Sequence, residues 1–144
     1  MKRITYKNLL SFTRKILNIA GLDSQSIKFV AEGLCTTSLR GVDSHGIKLL
    51  PHYFESAIMG RKNPKPKMKL YKFFPALLSL DADNGFGHYA GIKAINYGIK
   101  TAEKLGIAAV SVYNSTHSGS MAYSALHGAR KGYIVFAFTH ADSL

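Results

Sequence analysis

The sequence predicts an α+β (mixed α/β) fold, in which a helical N-terminal domain precedes the start of a layered sheet-and-helix domain. Three observations carry this expectation. Apolar residues recur at helical spacing from the N-terminus to about residue 59. A stretch rich in proline and lysine, residues 61–67, then changes the composition. Beyond it, short apolar runs alternate with longer amphipathic segments in the order β-β-α-β-α-β. The expected division is 1–66 for the helical domain and 67–144 for the second.

Each element has its own signal. Residues 6–20 place Leu9, Phe12, Ile16 and Ile19 at helical spacing, and Gly21 supplies a stop. Asp23 and Ser24 are N-cap candidates for a second helix, which carries Ile27, Val30, Ala31 and Leu34 on one face and ends at Arg40-Gly41. Cys35 adjoins that face and is expected in the core. A third helical stretch runs to about Met59, with Gly60 as its stop; Pro51 marks either the start of its regular part or a kink. "MKLYKFF" and "ALLSLDA" read as strands, Asn84-Gly85 as a turn, and 88–106 as a helix ended by Gly106. Residues 107–113 then read as a buried strand, 120–131 as a helix and 133–139 as another buried strand. A strand as apolar as 133–139 calls for neighbours on both sides. The 144 residues are therefore expected to be part of a longer protein.

Composition narrows the function classes. At 47% hydrophobic the chain can build a packed core, which excludes wholesale disorder. No apolar run reaches the length of a membrane span, and no apolar stretch of signal-peptide type follows Lys2 and Arg3. No membrane association is expected. A single cysteine excludes an internal disulfide and suits a reducing compartment, so the cytoplasm is the expected location. The formal charge is +11, and "GRKNPKPKMKLYK" (60–72) holds six lysines and arginines without an acid. Such a run can contact phosphates, which makes a nucleic-acid-binding protein the alternative reading. Aromatic residues barely interleave with those charges, and a solvated linker beside a surface strand explains them as well.

Two motifs invite chemistry. Gly85-Phe86-Gly87-His88-Tyr89-Ala90 has the form of a dinucleotide fingerprint between a strand and a helix. The acid that should end the next strand and hold the ribose is absent, because that strand ends in Tyr113-Asn114. The histidines are the better clue. His45 in "SHG" and His117 in "THSG" each follow a hydroxyl residue and precede a glycine at a junction between elements. No metal site is expected, since the sequence has neither H-E-x-x-H nor a cysteine pair. Imidazole suits transfer of one proton near neutrality, as a carbonyl being reduced or a hydroxyl being oxidised requires. Arg40 and Lys48 are nearby candidates for holding a carboxylate. A structural capping role is the competing reading of both histidines.

"RGVDSHGIKLLPHY", "LSLDADNGFGH" and "YNSTHSGSMAYSALHGARKGYIVFAFTHAD" closely resemble the malate/L-lactate dehydrogenase type-2 family. The resemblance covers essentially the whole chain. It implies interconversion of a small 2-hydroxy acid and its 2-oxo acid with NAD or NADP. It also implies a non-Rossmann cofactor domain, a homodimer, and no role for nucleic acid. By that likeness His45 and His117 are the catalytic histidines, proton donor in some members and proton acceptor in others. Ser44 and Tyr53 match substrate-side positions. Ala141 falls at a cofactor contact, with Thr139 and His140 beside it. One position departs from the pattern: Leu49 stands where many members carry an arginine that clamps the substrate carboxylate, and the neighbouring base is Lys48.

Overall fold

The computed structural model describes residues 3–140. The first helix, α1 (Tyr6–Ile19), starts where the Thr5 side chain accepts from the Asn8 amide. Asp23 caps α2 (Ser24–Leu39) in the same way, its carboxylate accepting from the Ser26 amide at 2.7 Å. Two 3₁₀ turns, Asp43–His45 and Ile47–Leu49, lead into α3 (Leu50–Ile58). Pro51 sits in the first turn of α3, where the N–H it lacks has no helical partner to lose. The helix therefore starts at the proline, with no kink through it.

Beyond the linker, β1 (Lys69–Phe74) pairs antiparallel with β2 (Leu77–Gly85). The chain crosses through α4 (Gly87–Leu105) to β3 (Ala109–Ser115), which lies parallel to β2, and continues into α5 (Met121–Ala129). The sheet order is β1-β2-β3. Gly106 ends α4 at φ +81°, a left-handed conformation that a Cβ disfavours. The expected Asn84-Gly85 turn is instead an irregular end of β2: Asp83 and Asn84 both have positive φ, and the β2–β3 register shifts between Asp81 and Gly85.

Two expected strands differ. β3 forms, but its residues are mostly exposed, because it is an edge strand that pairs only with β2 among the described residues. Residues 133–139 form no strand. Val135 packs on α5 at Gly128, whereas Ile134, Phe136 and Phe138 are 90%, 79% and 87% exposed. The alternation of a strand is present there, and a paired neighbour is not.

The main core gathers Leu17 of α1, Val30 and Leu34 of α2, Tyr53 of α3 and Phe86 before α4. Cys35 is buried beside it, in contact with the Thr13 hydroxyl. The sheet-side helix is keyed into this unit by His88, which is fully buried. A Cβ on Gly33 of α2 would lie 2.2 Å from His88 Cδ2, and one on Gly119 would lie 2.2 Å from its Nε2. The imidazole thus fills a slot between two glycines, and neither side has room for a methyl group.

Gly33→Ala should destabilise the chain. The helix gains up to about 1 kcal/mol in propensity. Overpacking against a ring that cannot retreat costs about 1–3 kcal/mol. The urea midpoint should fall, and an unchanged or higher midpoint would show that the slot is looser than described.

Candidate proton-transfer site

The segment 40–53 is held in shape by α2. Ser38 Oγ accepts from the Ile47 amide at 2.8 Å, and a Cβ on Gly46 would lie 2.2 Å from that oxygen. Only glycine lets the two 3₁₀ turns close onto the helix. The clamp fixes His45, whose Nδ1 is 2.9 Å from Ser44 Oγ. His117 arrives from the connection between β3 and α5. The two imidazoles stack with ring centroids 5.7 Å apart and 26° between planes.

Tyr53 holds the second histidine. Its hydroxyl lies 2.7 Å from His117 Nδ1 and donates to the His117 carbonyl oxygen at 3.3 Å, and the Gly119 amide donates to the same Nδ1 at 3.4 Å when that nitrogen is bare. The phenol serves either tautomer. It can accept from Nδ1–H while donating to the carbonyl, which leaves Nε2 with a lone pair. It can also donate to a bare Nδ1, which leaves Nε2–H as a donor. In both cases Nε2 is left without a protein partner among the described residues. Burial raises the Tyr53 phenol far above its ordinary pKa, so it stays protonated.

Bases surround this tyrosine. Lys62 is only 7% exposed, its Nζ lies 4.6 Å from the Tyr53 ring centroid, and it contacts His52 Nε2 at 3.2 Å. Burial, followed by Arg61, depresses its pKa to about 8. His52 is lowered by burial and then by Lys62 and Arg61, with Glu55 opposing. His117 is lowered by burial, then by His45, Lys62 and His52. His88, whose ring is 5.3 Å from that of Tyr53, is pushed down to about 3 by burial, His117 and Lys62. Among the described residues no carboxylate is hydrogen-bonded to any of these groups, and the one ion pair is Arg14–Glu32. A site with several bases and no paired acid favours an anionic ligand. Among the described residues no group of three or more His, Cys, Asp or Glu converges to hold a metal ion.

The structure thus brings Ser44, His45, Tyr53 and His117 together and leaves the other expected residues apart from them. Lys48 is exposed and hydrogen-bonds to no side chain among the described residues, while Leu49 packs against the core. Arg40 caps α2 and lines a small cavity with Arg130, Ser120 and Tyr123. Thr139 and His140 are exposed, and Ala141 lies outside the described residues. The glycines of "GFG" are filled by the chain itself: a Cβ on Gly85 would meet Pro66 at 2.8 Å, and one on Gly87 would meet the Thr116 carbonyl oxygen at 2.4 Å. Backbone packing accounts for them, with no opening for a pyrophosphate. Sequence reasoning missed Lys62 and His88. The first was hidden in a basic run whose other five members are exposed, and the second stood in a motif read only for its glycines.

The sequence profile of the family described as Malate/L-lactate dehydrogenase matches residues 4–144. The chain is 37% identical to a malate dehydrogenase of Pyrococcus abyssi over 142 residues, which is 99% of this chain and 39% of that protein. It is 31% identical to the ureidoglycolate dehydrogenase (NAD(+)) of Escherichia coli K12, over 99% of this chain and 41% of the other. The solved malate dehydrogenase of Pyrococcus horikoshii superposes with a TM-score of 0.87 at 34% identity, covering 91% of this chain and 38% of that one. The chain therefore spans about two-fifths of the length of these relatives.

His88 generates a pH prediction. Both ring nitrogens are buried without a hydrogen-bond partner among the described residues, and the folded-state pKa lies far below the ordinary 6.5. Between those values the unfolded chain binds a proton that the folded chain refuses. Stability should therefore fall as pH drops from about 6.5 towards 3, by a few kcal/mol at most. His88→Gln should flatten that slope. Urea melts at pH 7 and pH 4 check it, and an equal pH 7-to-4 loss in both proteins would remove His88 as the cause.

Proposed function

The chain belongs to the malate/L-lactate dehydrogenase family, and from that premise we propose that the protein interconverts a small 2-hydroxy acid and its 2-oxo acid by hydride exchange with NAD or NADP. The observation that carries this reading is the pairing of His45 and His117, 72 positions apart in sequence (117 minus 45), with each Nδ1 engaged by a hydroxyl. Such a pair offers two Nε2 atoms for one substrate oxygen. The nicotinamide, when bound, supplies or takes the hydride. The protein's part is to manage the proton.

In the oxidation direction the His117 tautomer with a bare Nε2 takes the hydroxyl proton. The resulting imidazolium is held by Tyr53, which accepts from Nδ1–H and turns its own proton to the His117 carbonyl. In the reduction direction the His117 imidazolium, its Nδ1–H held by Tyr53, hydrogen-bonds through Nε2–H to the carbonyl oxygen, gives up that proton as the alkoxide forms and returns to the neutral ring. His45, oriented by Ser44, stands beside it on the substrate side. Arg40 and Lys48 are proposed to attract the carboxylate. Thr139, His140 and Ala141 are proposed to hold the cofactor; Thr139 and His140 are exposed. A homodimer in the cytoplasm is the proposed setting. No helix among the described residues is long and apolar enough to cross a membrane.

The test uses the protein expressed from its complete reading frame, assayed at 340 nm with a panel of 2-hydroxy and 2-oxo acids and both cofactors. At least one acid should be turned over. His117→Ala should lower kcat/KM by about 10²–10⁴-fold with the urea midpoint little changed. Because the His117 pKa is depressed, oxidation should persist below pH 6.5, the ordinary histidine value. Absence of turnover across the panel would contradict the assignment.

A further inference from the structure

Lys62 is the group that the mechanism above leaves without a task. Its placement is built by the backbone: the Lys62 amide donates to the Ser56 carbonyl at 3.1 Å, and the Asn63 amide donates to the Asn84 carbonyl at 2.9 Å. These bonds turn one lysine of a solvated run inward, onto the faces of Tyr53 and Phe86 at 4.6 and 5.7 Å from the ring centroids. The ammonium is nearly buried and has no carboxylate partner among the described residues. Its one side-chain hydrogen bond among the described residues is to another base, His52.

A cation placed there for packing alone is a poor choice, since an apolar side chain would fill the space without the cost of desolvating a charge. What the charge does is act on its neighbours. Over the ring face it draws electron density from the phenol and strengthens its O–H as a donor to His117. It also disfavours a proton on His117, in concert with His45 from the first 3₁₀ turn and His52 from α3. His88 from α4 faces the same centre but stays neutral above about pH 3. Glu55 lies near enough to act on His52. Arg61 works against the charge of Lys62 itself.

We propose that Lys62 is a positioning residue of the proton-transfer site, acting through Tyr53 to set how readily His117 holds its proton. This deepens the proposed function, yet its test needs no substrate. Two consequences separate it from a packing role. First, His117 responds to the Lys62 charge. Second, an arginine, which keeps its charge at every working pH, substitutes for the lysine at neutrality but loses its pH response.

The experiment is a pH titration of the His117 ring resonances by NMR in the full chain, with native protein, Lys62→Met and Lys62→Arg. In native protein the His117 signals should show their own midpoint and a second, smaller inflection near pH 8 as Lys62 loses its proton. Lys62→Met should move the His117 midpoint upward and abolish the second inflection. Lys62→Arg should keep the native midpoint and also lack the second inflection. Native signals flat through pH 8 would overturn the proposal, even if the methionine variant fails to fold. A folded methionine variant with the native midpoint would do the same. Failure of the 340 nm assay alone would leave this result standing and reject only the substrate reading.

Discussion

The position of the Tyr53 ring is the constraint on which the rest of the site depends. The residue is fully buried and touches four groups that come from distant parts of the sequence: Phe86, His88, Lys62 and His117. Its ring belongs to the helical core, and its hydroxyl reaches out of that core to the β3–α5 connection. Moving the ring would therefore loosen packing and release the histidine together. The glycines at 33 and 119 extend the same constraint, because they let His88 close the slot next to the tyrosine.

Electrostatics give the site its sign. Burial lowers the pKa of His52, His117 and Lys62; Lys62 and Arg61 add to it at His52, while at His117 the addition comes from His45, Lys62 and His52, and at Lys62 from Arg61. In most interiors a buried lysine would be met by an aspartate or glutamate. Among the described residues none meets Lys62, and its charge falls on Tyr53 and the histidines around it. A neutral imidazole at rest is also the form that can take a proton from a hydroxyl. The electrostatic arrangement and the proposed chemistry therefore point the same way.

Much of this was legible in the sequence. Helix caps at Asp23, the start at Pro51 and the stop at Gly106 are local effects, and local patterns report them. His45 and Ser44 stood out because a helix is broken for them. The pairing of Tyr53 with His117 was not visible in composition or spacing; the resemblance placed each residue at the site, and only the fold joins hydroxyl to ring. Lys62 was hidden because a basic run does not say which of its members a backbone hydrogen bond will turn inward. The strands at 107–113 and 133–139 were over-read for burial. Apolar content measures what a segment can bury, whereas burial needs a covering partner, and Ile134, Phe136 and Phe138 stay exposed among the described residues.

The central claim is that the Tyr53 hydroxyl fixes His117 through Nδ1 and leaves Nε2 to exchange the proton. It is tested most directly by ¹⁵N NMR of histidine-labelled protein, comparing native with Tyr53→Phe, a change that removes one oxygen and keeps the packed ring. The account predicts that the His117 Nδ1 signal shifts and the ring samples more orientations, while the rest of the spectrum stays that of the folded protein. An unshifted Nδ1 signal in a folded Tyr53→Phe protein would contradict it.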